Sequence, residues 1–227
     1  MPDHAPVVQH LFAEPPVERS EPLEVVEGEI PAFVRGTYYL NGPARFSRDG
    51  FRYRHWLDGD GMVCALRMAE GQAHFTSRWV RTAKLCAEEQ AGRPVFRAFG
   101  TAFPGDRLKR GMMLESPVNV SVYRVAGALL AFGEQGLPRE LDPLTLETRG
   151  EFNFGGSLNE VSAFAAHPKH DAVTGETFNF GIAFSEADPC LNFYRFDSGG
   201  ALCYRRRVRL PYGGSIHDFG LCPRYAV

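Results

Sequence analysis

A 227-residue chain with 44% apolar and 23% charged side chains has the composition of a folded domain, which excludes a disordered or collagen-like chain. Its formal charge of −2 lacks the basic excess that nucleic-acid binders carry, so no nucleic-acid partner is expected. The five cysteines, Cys64, Cys86, Cys190, Cys203 and Cys222, are odd in number and form no Cys-x-x-Cys pair, which argues against a zinc site or disulfide framework and suits a reducing compartment.

In chain order, residues 1–30 scatter Pro2, Pro6, Pro15, Pro16 and Pro22 among charges, with no apolar run of signal-peptide type. They read as an extended arm laid over the domain at 31–227. No stretch of about 18 apolar residues occurs, so the expectation is a soluble, unprocessed, cytoplasmic protein. From Gly36 onward β-branched and aromatic residues gather into short runs at 36–40, 62–68, 72–80, 118–124, 128–132, 162–167, 177–184, 191–196 and 201–210. Turn residues part them at Ala69-Glu70-Gly71, Ala126-Gly127, 169–175 and Asp197-Ser198-Gly199-Gly200. Short strands and tight turns predict an all-β, antiparallel protein. Residues 192–206 have the form of a propeller-blade hairpin, and a sandwich fits the same signals. One helix is predicted over 81–92, built from strong helix formers and closed by Gly92. The run Arg205-Arg206-Arg207 reads as a solvated strand edge, where charge blocks edge pairing. No internal repeat stands out.

Several familiar chemistries fail on spacing. Asp58-Gly59-Asp60-Gly61 begins like a calcium loop, but Ala69 stands where the twelfth-position glutamate belongs. The same glycines meet Cys64 where a dinucleotide fingerprint needs a third glycine. There is no Gly-x-Ser-x-Gly elbow, no His-Glu-x-x-His helix and no Walker-type phosphate loop.

Six segments in register carry a different signal: Gly36-Thr-Tyr-Tyr-Leu-Asn-Gly-Pro43, Trp56-Leu-Asp-Gly-Asp-Gly-Met-Val63, Phe132-Gly-Glu-Gln-Gly-Leu-Pro138, Glu140-Leu-Asp-Pro-Leu-Thr-Leu-Glu-Thr148, Ala166-His-Pro-Lys169 and His217-Asp-Phe219. Together they resemble the carotenoid cleavage oxygenases, a family that includes apocarotenoid oxygenases, retinoid isomerases and stilbene-cleaving dioxygenases. The likeness runs from about residue 20 to 227 and corresponds to the N-terminal half of the family pattern. It implies a seven-bladed β-propeller, of which this chain holds part, around an axial iron, Fe(2+), bound by four histidines. Two of those ligands fall on His167 and His217, and the other two lie in a C-terminal half that this sequence does not contain. Imidazole suits iron, and a ligating histidine commonly gives its second N–H to a carboxylate. The resemblance assigns that supporting part to Glu134.

The implied reaction adds O2 across a double bond of an apolar polyene, a carotenoid of the 9-cis-epoxy type or an apocarotenoid, to give two carbonyl products. Stilbene-cleaving members grip a phenolic hydroxyl with a tyrosine and a lysine, and Tyr53 and Lys84 fall in the corresponding places as an alternative substrate-binding pair. A third reading is a propeller remnant that binds an apolar ligand without catalysis. The chain departs from many relatives at Cys64, where they carry a histidine that is not an iron ligand. His4, His10, His55, His74 and His170 have no metal-like context. Phe96, Phe99, Phe103, Leu108, Met112, Met113 and Leu114 alternate with Arg97, Arg107, Lys109 and Arg110, an apolar stretch rimmed by positive charge that suggests peripheral membrane contact.

Overall fold

The computed structural model of the protein describes residues 15–183 and 188–227, so His4, His10 and the last residue of the strand expected at 177–184 lie outside the described residues. The chain forms two compact units, Met1–Asn119 with Asp142–Thr148, and Val120–Leu141 with Arg149–Val227. Described strands assemble into three four-stranded sheets and a two-stranded ribbon. Four-stranded antiparallel sheets are the blade unit of a propeller, and the protein is all-β with part of a β-propeller.

The first unit holds one sheet in the order β1 (Arg19–Leu23), β6 (Gln72–Trp79), β5 (Asp60–Ala69), β2 (Gly36–Arg45), beside the ribbon β3 (Ser47–Arg48) and β4 (Phe51–Arg52). Its outer strand β1 comes from within the expected arm. Pro22 is tolerated there because an edge strand need not donate on both sides. β5 and β6 turn at Glu70 and Gly71, with φ of 52° and 73°, the left-handed pair of a type I′ hairpin. Helix α1 (Ala83–Ala91) starts where the Thr82 side chain accepts the Leu85 N–H at 3.1 Å and ends at Gly92 with φ 64°.

The strand expected at 118–124 begins only at Ser121. Val118 adopts a left-handed φ of 50°, rare for a β-branched residue, and its carbonyl accepts a hydrogen bond from Asn41 Nδ2 at 3.1 Å. Asn119 turns its amide to the carbonyls of Leu57 and Gly59, at 2.9 and 2.7 Å. These backbone and side-chain commitments take Val118 and Asn119 out of the ladder, which begins with the Val120 N–H donating to Phe132 O at 3.0 Å. They also require Gly61, since a Cβ there would stand 2.1 Å from the Val118 oxygen.

The second unit contains two sheets, β10 (Thr148–Glu151)–β9 (Arg139–Leu141)–β8 (Ala128–Phe132)–β7 (Ser121–Val125) and β11 (Lys169–His170)–β12 (Thr177–Ala183)–β13 (Cys190–Phe196)–β14 (Leu202–Arg209). β13 buries Cys190, Asn192, Tyr194 and Phe196 in strict alternation, the period of a strand packed on one face. Tyr194 and Phe196 join Phe132, Phe154 and Phe164 in the core, where the Phe154 and Phe196 rings stack at 4.2 Å. Such ring pairs add roughly 0.5–1.5 kcal/mol beyond their buried area. Arg205, Arg206 and Arg207 lie on the exposed outer strand β14, as expected of a charged edge.

Residues 162–167 were expected to form a strand and do not. The Ala165 N–H donates to Phe180 O at 2.7 Å, but the return bond comes from the Asn179 side chain, which donates to Ala165 O at 2.9 Å. The backbones also meet too closely for regular pairing, since a Cβ on Gly181 would lie 2.1 Å from the Ala163 carbonyl. Buried Phe164 and Ala166 nevertheless anchor the segment in the core.

A short repeat emerges that hydrophobic periodicity does not reveal. Asp142-Pro-Leu-Thr-Leu-Glu147 and Asp171-Ala-Val-Thr-Gly-Glu176 build the same turn, with the aspartate N–H donating to the glutamate carbonyl at 2.9 Å in both. The fifth residue is left-handed in each, Leu146 at φ 62° and Gly175 at φ 73°. Leucine accepts that conformation where its side chain is buried.

Replacing Gly61 with alanine should destabilise the protein by about 3 kcal/mol, the upper end of overpacking costs, because its obstacle is backbone. Gly42→Ala, in open space on the same sheet, is the control and should be nearly neutral. Urea unfolding of the two variants distinguishes them, and equal midpoints would refute the close-approach argument.

Candidate metal centre

Three polar residues converge in the second unit. Glu134 lies two residues past the end of β8, His167 two residues before β11, and His217 in the irregular segment after β14. His167 Nε2 and His217 Nε2 are 2.9 Å apart, and His217 Nδ1 is 2.5 Å from Glu134 Oε1. The ligand atoms of the three residues all fall within 4.8 Å of one another.

Burial and the neighbouring His217 ring hold His167 below the ordinary histidine range, which favours its neutral form. Burial pushes the Glu134 carboxyl up, opposed by His217. A proton held on His217 Nδ1, the nitrogen against Glu134, would leave the Nε2 lone pair facing His167. A metal fits this donor set. Two imidazoles bound side by side at about 2.1 Å, at right angles, hold their nitrogens about 3.0 Å apart, close to the spacing present.

The expected substrate pair, Tyr53 and Lys84, meets in the first unit, with Lys84 Nζ 4.5 Å from the Tyr53 ring centroid. A lysine on a short helix reads as a surface charge, but Lys84 is 1% exposed. Its ammonium donates to Asp60 at 2.8 Å and to Glu88 at 3.1 Å, while Arg48 bridges the same two carboxylates. The Tyr53 hydroxyl donates to Glu88 at 2.8 Å. Burial, then the Glu88 charge, pushes the Tyr53 phenol far above its ordinary value, so it remains protonated. Burial alone would raise Glu88; Lys84, the Val95 and Phe96 N–H groups and Tyr53 outweigh it and hold Glu88 below the ordinary carboxylate range. The spacing of Lys84 and Glu88, one helical turn apart, was the visible hint of this network.

The aspartates of Asp58-Gly-Asp-Gly61 have structural partners. Asp58 accepts from Gly100 N–H at 2.8 Å and from the Thr101 hydroxyl at 2.6 Å, and Asp60 belongs to the charge network. His55 caps a 3-10 turn, and His74 and His170 contact Ser20 and Thr177. The apolar stretch expected at a membrane is mostly packed. Phe99 and Met112 are exposed, whereas Phe96, Phe103 and Met113 are partly buried and Phe103 rests edge-on against Phe51. The comparisons lend membrane contact no support. No described helix is long and apolar enough to cross a membrane.

Four-stranded blade-type sheets, with two histidines and a glutamate converging in the second unit, define part of a β-propeller with a candidate metal centre. The family model for retinal pigment epithelial membrane protein, RPE65, matches residues 12–227, and the chain belongs to that family, the carotenoid cleavage oxygenases. It is 36% identical to isoeugenol monooxygenase of Pseudomonas nitroreducens over 89% of this chain and 42% of that protein. It is also 36% identical to lignostilbene-alpha,beta-dioxygenase isozyme III of Sphingomonas paucimobilis, and 34% identical to apocarotenoid-15,15'-oxygenase of Synechocystis, over 41% and 44% of those proteins. The chain thus spans less than half the length of these relatives. A crystal structure of the D477G ACO/RPE65 chimera superposes with a TM-score of 0.88 at 30% identity, over 97% of this chain and 48% of that one.

The Glu88 network sets an acid limit on the first unit. Because the folded protein holds Glu88 below its unfolded value, its contribution is fully present above the ordinary glutamate pKa of about 4.3 and disappears as pH falls through the lower folded value. Glu88→Gln should therefore be less stable at neutral pH yet lose less stability between about pH 6 and pH 3. Urea unfolding across that range checks this, and parallel curves for parent and variant would contradict it.

Proposed function

We propose that the protein carrying this chain is a non-haem iron(II) dioxygenase that cleaves a carbon–carbon double bond of an apolar carotenoid or apocarotenoid to two carbonyl products. The observation that carries this reading is the convergence of His167 and His217 at 2.9 Å, with Glu134 against the second ring. Family membership supports the chemistry. Iron, when bound, supplies the means of activating O2. His167 and His217 would hold it as neutral donors, and Glu134 keeps the proton of His217 at Nδ1 so that Nε2 is free to bind. Five free cysteines, three of them exposed, suit a reducing, cytoplasmic setting.

A second substrate reading has its own support. Tyr53 and Lys84 lie together and buried, and two relatives are named for isoeugenol and lignostilbene. On this reading a phenolic stilbene-type alkene is gripped by the tyrosine hydroxyl and the lysine ammonium. It would have to compete with Glu88, which engages both groups.

In a protein with all four histidines, His167→Ala or His217→Ala should remove bound iron and double-bond cleavage together, by metal analysis after gel filtration and product assay. The 227-residue chain alone, offering two imidazoles, should bind iron(II) weakly and cleave nothing; stoichiometric tight iron in it would contradict the proposed ligand set. Lys84→Met separates the substrate classes. In a variant shown to be folded, selective loss of turnover on a resveratrol-like stilbene favours the phenolic reading, and equal effects on stilbene and carotenoid end it.

A further inference from the structure

We propose that Lys169, Asp218 and Phe219 form a clasp that positions His217 for the metal, an inference that rests on the ligand reading above. His217 lies in a segment, 211–220, with no regular structure, and its side chain is 62% exposed. Nothing in a backbone ladder fixes where that ring points. Three consecutive residues are instead held by different partners in the same unit: His217 by Glu134, Asp218 by Lys169, and Phe219 by the rings of Phe180 and Phe193.

The spacing explains why Lys169 reaches its target. Lys169 stands two residues beyond His167, with buried Pro168 fixing φ between them. His167 meets His217, and Lys169 Nζ meets the adjoining Asp218 Oδ1 at 2.6 Å. Two contacts between the same two segments set both the distance and the rotation of the His217 segment, which one contact cannot do. The Asp218 oxygen also accepts the Phe219 N–H at 2.7 Å, and Lys169 Nζ stands 5.6 Å from the Phe219 ring centroid. Phe219 is half-buried while its neighbours are exposed, so it anchors the segment.

A partly exposed ion pair adds little to global stability. Its effect falls on the ligand: a ring already held in place does not have to be ordered when metal binds. Lys169 and Asp218 are therefore positioning residues, and removing either should loosen the metal more than the fold.

The test uses the protein with all four histidines and cobalt(II) alone as the probe, titrated by its visible absorption, with thermal unfolding measured in parallel. Lys169→Met and Asp218→Asn should each weaken cobalt binding about tenfold, the low end for outer-sphere partners, with an unchanged thermal transition. The exchanged pair Lys169→Asp with Asp218→Lys should recover most of that loss. Parent-like binding in both single variants would overturn the clasp, while loss of binding in His217→Ala in the same series would leave the ligand reading standing. Parent-like binding in His217→Ala would overturn both. Weakened binding with a collapsed thermal transition, or without recovery in the exchanged pair, would also overturn the clasp by showing a general structural role.

Discussion

A metal ion accepts imidazole only from set directions, and on the proposed ligand reading that demand would fall on two histidines of the second unit, fifty positions apart in the chain. Neither is on a regular strand. His167 follows a segment whose backbone is tied to β12 by one ladder-type bond and one asparagine side chain, and His217 lies beyond the last strand of its sheet. Packing has to do what ladders do elsewhere. Phe164 and Ala166 sink the approach to His167 into an aromatic core, and Gly181 lets that approach come closer than any side chain would allow. The unpaired, irregular character of 162–167 therefore follows from the packing that places the imidazole.

The first unit solves a different problem. Two cations, Arg48 and Lys84, and two anions, Asp60 and Glu88, are buried together with no net charge. Desolvating four charges consumes most of what their attraction returns, so the network is poor as a source of stability, but removing one member strands the others at about 3–5 kcal/mol. It therefore discriminates strongly between one arrangement and its neighbours. It ties helix α1 to β5 and to the ribbon, and holds Tyr53 as a protonated phenol against Glu88.

Residue periodicity and turn chemistry were enough for the all-β class, the β5–β6 hairpin, helix α1 with its glycine stop, and the alternating strand β13. They failed where side chains replace backbone partners. Asn179 takes a ladder position beside 162–167, and Asn119 ties 118–120 to Leu57 and Gly59; both stretches look like strands by composition. β9 and β10 have three and four residues, too few for a period to register. The inward face of α1 misled for another reason: its buried lysine and glutamate obey charge pairing, which a hydrophobic pattern cannot show. His167, His217 and Glu134 came from motif resemblance alone, because each is a single polar residue outside the regular strands and carries no periodic signal.

The repeated Asp-x-x-Thr-x-Glu turn shows why resemblance reached further than periodicity. Its information lies in short polar side chains that satisfy backbone N–H groups at fixed offsets, as Asp142 does for Leu144 and Thr145 and Asp171 does for Val173. Such residues set where one strand ends and the next begins, and so decide which side chains project from the strand ends. The same logic governs the metal centre. His167, His217, Glu134, Lys169 and Asp218 all belong to one folded unit, so the spacing of the two imidazoles is a property of that unit. On the proposed ligand reading, further ligands would have only to complete a pair already held at 2.9 Å. The ordering cost of assembling the site would thereby be divided between folding and metal binding.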